Sequence, residues 1–206
     1  MKRVTGIVIV ILSLVFTMSA CADEILEEMN YAKEAYKDKN YSEAVESLKF
    51  AITKIQSLQA DELRKALPKP LSGWTMEEQE SEAATLGLFG LSSGLGVTRK
   101  YYKKDSNETI EISIIAQSAI LQQIMIFLKN PALVTAQPNT KLEKRKISGK
   151  GIKIIEEFSS KDKEGKLSLT PDEQTLIIVE GQEISDKAIL YNYLEKIDFQ
   201  LIAEIL

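Results

Sequence analysis

The chain has no histidine and a single cysteine among its 206 residues. Without histidine, neither a Ser-His-Asp triad nor a Cys-His pair can form, and the commonest metal ligand is missing as well. Because zinc sites usually need histidine or several cysteines, a zinc centre is not expected. One cysteine excludes a disulfide within the molecule, so the hydrophobic core must supply the stability.

The chain also lacks an excess of positive charge. It has 26 Lys and Arg against 30 Asp and Glu, and a net charge of −4. A domain that binds nucleic acid normally carries a strong basic excess, so we expect no nucleic-acid partner.

One long apolar run is present, from Val4 to Phe16, and it follows Lys2 and Arg3. A membrane-spanning helix needs about twenty apolar residues, so this run is short for a span. A basic start, a short apolar stretch and small residues behind it are typical of a cleaved export signal. We therefore predict a signal helix, removed as residues 1–20, and an exported protein in the periplasm or cell envelope.

Two cleavage sites compete at the end of this leader. Ala20-Cys21-Ala22 fits the small-x-small pattern of ordinary signal peptidase, while Met18-Ser19-Ala20-Cys21 resembles the lipobox of bacterial lipoproteins. That resemblance implies that Cys21 becomes the N-terminus and carries the lipid that tethers the protein to a membrane. The alternative is that Cys21 is an incidental residue of a discarded peptide.

The segment from Ile25 to Ala66 contains no Gly and no Pro and is rich in helix-forming residues. Ala44 and Ala51 can let two helices approach, and we expect Tyr36, Tyr41 and Leu48 to fill the space between them. The pattern predicts an antiparallel helical hairpin over residues 21–66, with a long second helix. Asn40 to Val45 is similar to part of one tetratricopeptide repeat. A peptide-binding surface needs about three such repeats, so a spacer or packing role competes with partner recruitment.

From residue 67 to 206 the pattern changes to short alternating runs, which predict an α+β domain with a mainly antiparallel sheet and two or three helices. Predicted strands include Val97 to Lys104 and Thr109 to Ala116, where Ile110, Ile112 and Ile114 share one face. Four more strands are expected near residues 142–147, 152–158, 166–170 and 175–180. Helices are expected at 118–128 and at the C-terminus, the latter capped by Ser185 or Asp186 and running to Ile197.

The order that begins with a strand at Gly73-Trp74, followed by a hairpin, a helix, more strands and a closing helix, resembles PsbP-like α+β domains. Leu67 to Trp74 and Ser148 to Gly151 are also similar to segments of uncharacterised bacterial envelope proteins. This resemblance implies a fold and supplies no active site.

Three clusters could carry chemistry. Glu77, Glu78, Glu80 and Glu82 are best explained as a solvated face, and the glycines at 87, 90, 94 and 96 lack the Lys-Ser or Lys-Thr of a phosphate loop. The third cluster is basic and flanks Tyr101 and Tyr102. It suggests a surface for anionic lipid or a wall polymer, formed by Arg99, Lys100, Lys103, Lys104, Lys144 and Lys146. The alternative is that these are ordinary exposed charges of strands, since successive side chains of a strand point to opposite faces and not all of them can converge.

These observations predict an exported envelope protein, tethered to the membrane through Cys21, that binds or scaffolds without catalysis. Its partner would be an envelope protein, an anionic lipid or an anionic polymer. No cofactor and no metal are expected. The alternative is an envelope enzyme that uses carboxylate or lysine chemistry.

Overall fold

The computed structural model describes residues 24–77, 95–116, 121, 125, 130–147 and 149–206. The predicted leader with Cys21, the helix predicted at 118–128 except for positions 121 and 125, and most of the glutamate and glycine clusters lie outside these residues. The chain forms two compact units that divide between Leu58 and Gln59.

The described part has an α+β fold, as the sequence predicted, with five helices and seven strands. The first helix, α1, covers residues 24–37. The other helices are α2 (Tyr41–Arg64), α3 (Pro131–Thr135), α4 (Ala188–Leu194) and α5 (Phe199–Ile205). The strands are β1 (Trp74–Met76), β2 (Leu95–Lys103), β3 (Thr109–Ala116), β4 (Thr140–Ile147), β5 (Lys150–Ser159), β6 (Glu164–Leu169) and β7 (Thr175–Gln182).

In the first unit, α1 and the first part of α2 form the predicted helical hairpin. The buried side chains of this unit are mostly small, namely Ala32, Ala35, Ala44, Ser47 and Ala51, and Ile25 near the start of α1 is the one larger buried side chain among residues 24–58. The prediction that Tyr36, Tyr41 and Leu48 fill this space is wrong, because all three are exposed. Helices joined through alanine approach too closely to leave room for larger side chains, which therefore turn to the adjacent face.

The second unit is built on one antiparallel sheet, with strand order β1-β2-β3-β7-β6-β5-β4. Four chain-adjacent hairpins form most of the sheet, and the pairing of β3 with β7 joins its two halves, with Ile112 opposite Val179. Because side chains alternate along a strand, one face of the sheet presents the apolar positions. Ile110, Ile112 and Ile114 are fully buried on this face, as predicted.

The segments that precede and follow the main strands in sequence pack into the same hydrophobic core. Trp74 packs edge-on against Tyr193, with ring centroids 5.5 Å apart, and Tyr193 also contacts Tyr101 at 4.5 Å. The backbone N–H of Asp198 donates to the carbonyl of Ala66 at 3.0 Å. The region after α2 is thereby fixed to the C-terminal part of this unit.

The single C-terminal helix of the prediction is two helices in the structure. The first of these begins at Ala188, two residues after the predicted cap Asp186, whose carboxylate accepts a hydrogen bond from the N–H of Ala188 at 2.9 Å. The first helix ends at Leu194, and Asp198 then caps a second one by accepting from the N–H groups of Gln200 and Leu201. An aspartate N-cap opens a new helix, which explains the break.

Candidate binding surfaces

The hairpin exposes an apolar face formed by eight large side chains. Their exposed fractions lie between 41% and 66%. α1 contributes Leu26, Met29 and Tyr36, and α2 contributes Tyr41, Val45, Leu48, Ile52 and Ile55. We call these eight residues the apolar face.

Geometry shows that the residues of the apolar face lie on one side of the hairpin. Val45, Leu48 and Ile52 each follow by one residue a position buried between the helices. Leu26 and Tyr36 follow buried positions of α1 in the same way. One residue turns a helix by about 100°. Because the two helices run antiparallel, this rotation places the exposed apolar residues of both helices on the same side of the hairpin.

The rings of Tyr36 and Tyr41 agree with this placement, since their centroids lie 5.8 Å apart where the two helices meet. The apolar face is therefore continuous from one helix to the other.

The opposite side of the hairpin, which we call the acidic side, carries four exposed glutamates, Glu27, Glu34, Glu43 and Glu46. The exposed ring of Phe50 and the Lys54 amino group above it also lie there. The hydroxyl of Tyr31 donates to Glu43 at 3.2 Å, and the negative charge of Glu43 raises the pKa of Tyr31. The hairpin thus has the apolar face on one side and a mostly polar side, with four exposed glutamates, opposite it.

Three of the predicted anion-binding residues, Arg99, Lys100 and Lys103, contact groups of the same chain. The Arg99 guanidinium donates to the backbone carbonyls of Leu67 at 3.1 Å, Pro68 at 3.4 Å and Arg64 at 3.3 Å. Lys100 forms an ion pair with Glu111 at 3.1 Å, and Lys103 forms one with Glu108 at 2.7 Å. Arg99 therefore acts as a C-terminal cap of α2, a role for which the sequence carried no local signal.

The remaining predicted residues are exposed, but the fold separates them. Lys104 follows β2, whereas Lys144 and Lys146 lie on β4 at the far edge of the sheet. Four strands lie between β2 and β4, so that the two strands are five inter-strand spacings, or about 24 Å, apart. The structure does not bring the six predicted residues into one surface.

A smaller basic patch is present on β4 and β5. Lys144 lies directly opposite Lys153 in the strand register, and Lys146 lies two positions along the same face of β4. All three are exposed. Two like charges in direct cross-strand register are unfavourable for folding, and edge strands often carry lysine to prevent aggregation. We refer to these three residues as the basic patch.

Glu156 is the one acidic side chain buried among the described residues, with 3% exposure. It accepts hydrogen bonds from Lys187 at 2.5 Å and from the Tyr191 hydroxyl at 2.6 Å. Burial alone would raise the pKa of Glu156. The two hydrogen bonds and the nearby charges of Lys187 and Lys141 outweigh burial and lower that pKa.

Arg145 completes this cluster from β4. Its guanidinium lies 3.8 Å from the ring centre of Tyr191 and 3.7 Å from Glu195. Burial, followed by the Glu156 hydrogen bond, raises the pKa of Tyr191, so the phenol remains a donor at neutral pH. The cluster fixes α4 to the β4–β5 hairpin, and no local sequence pattern indicates it, because its members are far apart in the chain.

A groove of about 630 Å³ lies beside α5, with apolar walls that include Ile152, Phe199 and Ile202. Thr175 also lines it, is fully buried, and makes no side-chain hydrogen bond to the described part of the chain. Lys150, Asp172 and Glu173 lie at this groove. The groove can hold an apolar group, and none of the residues of the Glu156 cluster lines it.

Within the described ranges, no group of three or more acidic or cysteine side chains is placed to hold a metal ion. No helix among those same residues is long and apolar enough to cross a bilayer. Comparison with family models, curated proteins and solved structures finds no match to this chain.

Proposed function

We propose that this protein is an exported, lipid-anchored component of the cell envelope that acts as a binding or scaffolding module without catalysis. The observation that carries the proposal is the position of Cys21. It is the one cysteine of the chain and directly follows a basic, apolar and small-residue leader. A lipoprotein requires a cysteine at this place, and a single cysteine can form neither a disulfide within the chain nor a multi-cysteine zinc site.

The use of buried charged groups in the second unit supports a module without catalysis. Catalytic groups usually lie in a cleft with shifted pKa values and remain available to a substrate. Here Lys187 and Tyr191 both donate hydrogen bonds to Glu156 and hold α4 on the sheet. Arg99 is likewise occupied by backbone carbonyls.

An envelope enzyme with carboxylate or lysine chemistry is the competing proposal. Its best location is the groove beside α5, where Lys150 and Asp172 lie at an apolar cavity. An activity that is lost in Lys150→Met and in Asp172→Asn would favour the enzyme. For a binding module, neither replacement should change an activity that the wild-type protein shows.

The anchor is tested by labelling cells with a radioactive or alkyne-tagged fatty acid and fractionating the membranes. The wild-type chain should carry label and sediment with membranes, and Cys21→Ser should lose both properties. The matched control combines Cys21→Ser with Ala22→Cys, which keeps a cysteine but displaces it by one residue. Label that persists in this control would indicate unspecific thiol acylation and would contradict a lipobox.

A second candidate function is the binding of anionic head groups or an anionic polymer by the basic patch. The observation that favours it is the register of Lys144 opposite Lys153, a like-charge pair that costs stability. An anion placed between the two lysines would relieve that repulsion, and the attraction would weaken as salt increases.

This candidate is tested with phosphatidylglycerol vesicles, using phosphatidylcholine vesicles as the reference surface. Replacing Lys144, Lys146 and Lys153 by Gln should abolish selective binding to the anionic vesicles. A control with the same loss of charge replaces the exposed Lys49, Lys161 and Lys196. Equal binding by the two triple variants would exclude the basic patch.

A further inference from the structure

The apolar face of the hairpin is larger than the exposed apolar patches of ordinary monomers. With exposed fractions between 41% and 66%, its eight side chains together present on the order of 800 Å². The largest patch on a typical monomer is about 300–600 Å². One partner contributes about 800 Å² to a stable interface. The area therefore matches one half of a stable interface.

The spacing of the apolar face fits another helix. On α2 the positions Val45, Leu48, Ile52 and Ile55 are separated by three, four and three residues. On α1 the positions from Leu26 to Tyr36 follow the same pattern, with Met29 and Lys33 between them. A 3–4 alternation places side chains along a seam that packs against a second helix, as in coiled coils and four-helix bundles.

Charge argues against a membrane as the occupant. Helices that lie on lipid usually carry lysine and arginine on their polar side, where they meet anionic head groups. The polar side of this hairpin instead carries four exposed glutamates, Glu27, Glu34, Glu43 and Glu46, of which Glu34 is paired with Lys37. Residues 24–58 hold seven acidic and five basic side chains, so an anionic membrane surface would not attract the hairpin.

We propose that the apolar face is covered by a second copy of the same chain, so that two hairpins form a four-helix bundle. A symmetric dimer brings the same face of each copy together, and each hairpin supplies two parallel seams of the required spacing. Within residues 24–58, Lys33 is the one charged position in these seams. A single lysine in such a seam fixes the register of the pair at some cost in affinity. The dimer goes beyond the proposed function and does not require the lipid.

The contact is tested in native envelopes by cysteine crosslinking of the full chain with a bis-maleimide. Leu48→Cys places a thiol in the apolar face, and Glu46→Cys places one on the opposite side of the same helix. Leu48→Cys should give a product of twice the chain mass, at least several-fold more than Glu46→Cys. Equal yields from the two variants would overturn the dimer. So would a Leu48→Cys product of another mass, which would identify a different partner.

Second-site changes show whether the crosslink reports the proposed interface. In the Leu48→Cys chain, Ile52→Glu should reduce the crosslink about tenfold or more, because a charge would be buried at the contact. Thr53→Glu, one residue away on the acidic side, should leave the yield unchanged. Lys33→Leu should increase the yield. Loss of folding cannot produce this result, because the product that is measured has twice the mass of the chain. An equal effect of Ile52→Glu and Thr53→Glu would overturn the proposal.

The wild-type chain separates this proposal from the lipid anchor, since Cys21 is its one cysteine. A lipid-bearing Cys21 has no thiol for the maleimide, and the wild type should give no product. A strong wild-type product would contradict the anchor, while the difference between Leu48→Cys and Glu46→Cys would still decide the dimer.

Discussion

At the scale of single residues, replacing Thr175 and replacing Thr98 by valine should change the free energy of unfolding in opposite directions. The Thr175 hydroxyl is fully buried and makes no hydrogen bond to the described residues, whereas Thr98 bonds to the hydroxyl of Ser113 at 3.0 Å. A buried hydroxyl without a partner costs about 1–3 kcal/mol. Thr175→Val should therefore raise the free energy of unfolding by about 1 kcal/mol. Thr98→Val should lower it by about 1 kcal/mol, because Ser113 loses its partner.

Chemical denaturation of the two valine variants measures both changes. A loss of stability in Thr175→Val would mean that the hydroxyl is satisfied in solution, by a residue outside the described ranges or by a ligand in the groove beside α5.

Glu156 gives a prediction on the dependence of stability on pH. Its pKa is lowered in the folded protein from an ordinary value of 4.5. The carboxylate therefore stabilises the fold fully above pH 4.5, and this contribution is lost as the pH falls through the lower folded pKa. Glu156→Gln should cost about 1–3 kcal/mol at pH 7. Its deficit relative to the wild type should shrink below pH 4.5.

Glu157→Gln is the control for Glu156, because its side chain lies on the other face of β5. It should change the stability by less than about 0.5 kcal/mol. A Glu156→Gln deficit that is constant from pH 7 to pH 3 would contradict the role assigned to the carboxylate.

At the scale of elements, Arg99 links β2 to the C-terminal end of α2. Its guanidinium donates to the carbonyl of Arg64, the last residue of α2, and to two carbonyls that follow the helix, at 3.1–3.4 Å. Hydrogen bonds from a charged group contribute about 1.5–3 kcal/mol. Arg99→Met should lower the free energy of unfolding by about 2 kcal/mol. Lys100→Met, which removes an exposed ion pair with Glu111, should lower it by less than about 1 kcal/mol.

Thermal unfolding compares these two variants. If Arg99→Met matched Lys100→Met in stability but lost binding of an anion, Arg99 would belong to a ligand surface and not to the helix cap.

The contact of α4 with the sheet depends on two glycines opposite each other in β6 and β7. Gly165 pairs with Gly181 in register. A Cβ at Gly181 would lie 2.7 Å from Ile184 Cδ1 and 2.9 Å from Leu190 Cδ2, and both side chains are fully buried. Gly181→Ala should destabilise the protein by about 1–3 kcal/mol through overpacking.

Gly96 provides the matched control on β2, because the nearest atom to a Cβ there is the carbonyl oxygen of Ile114 at 3.7 Å. Gly96→Ala should be neutral or slightly stabilising. A similar loss of stability in both alanine variants, measured by denaturant titration, would show that α4 does not pack as tightly as described.

At the scale of the whole molecule, local patterns were enough to predict the fold class. The strand predicted over Thr109 to Ala116 has the observed bounds, because alternating isoleucines follow a polar turn. The C-terminal helix was predicted too long, since Asp198 begins a new helix that the apolar pattern does not show. The helical hairpin was predicted correctly, but the side on which Tyr36, Tyr41 and Leu48 lie was not.

Surfaces were harder to predict than elements, because they depend on contacts distant in sequence. The pairing of β3 with β7 places β2 and β4 far apart, and no local pattern reveals that order. The role of Arg99 and the cluster around Glu156 also join residues that are 31 to 35 positions apart in the chain. The apolar face, in contrast, could have been found from the sequence by following the 3–4 spacing on each helix separately.

The intact mass of the native protein extracted from membranes tests whether the chain is exported and anchored through Cys21. We expect a chain that begins at Cys21 and carries the added mass of acyl chains. A chain that begins after Ala22 without lipid, or a freely dissolved intracellular chain that retains Met1, would contradict it.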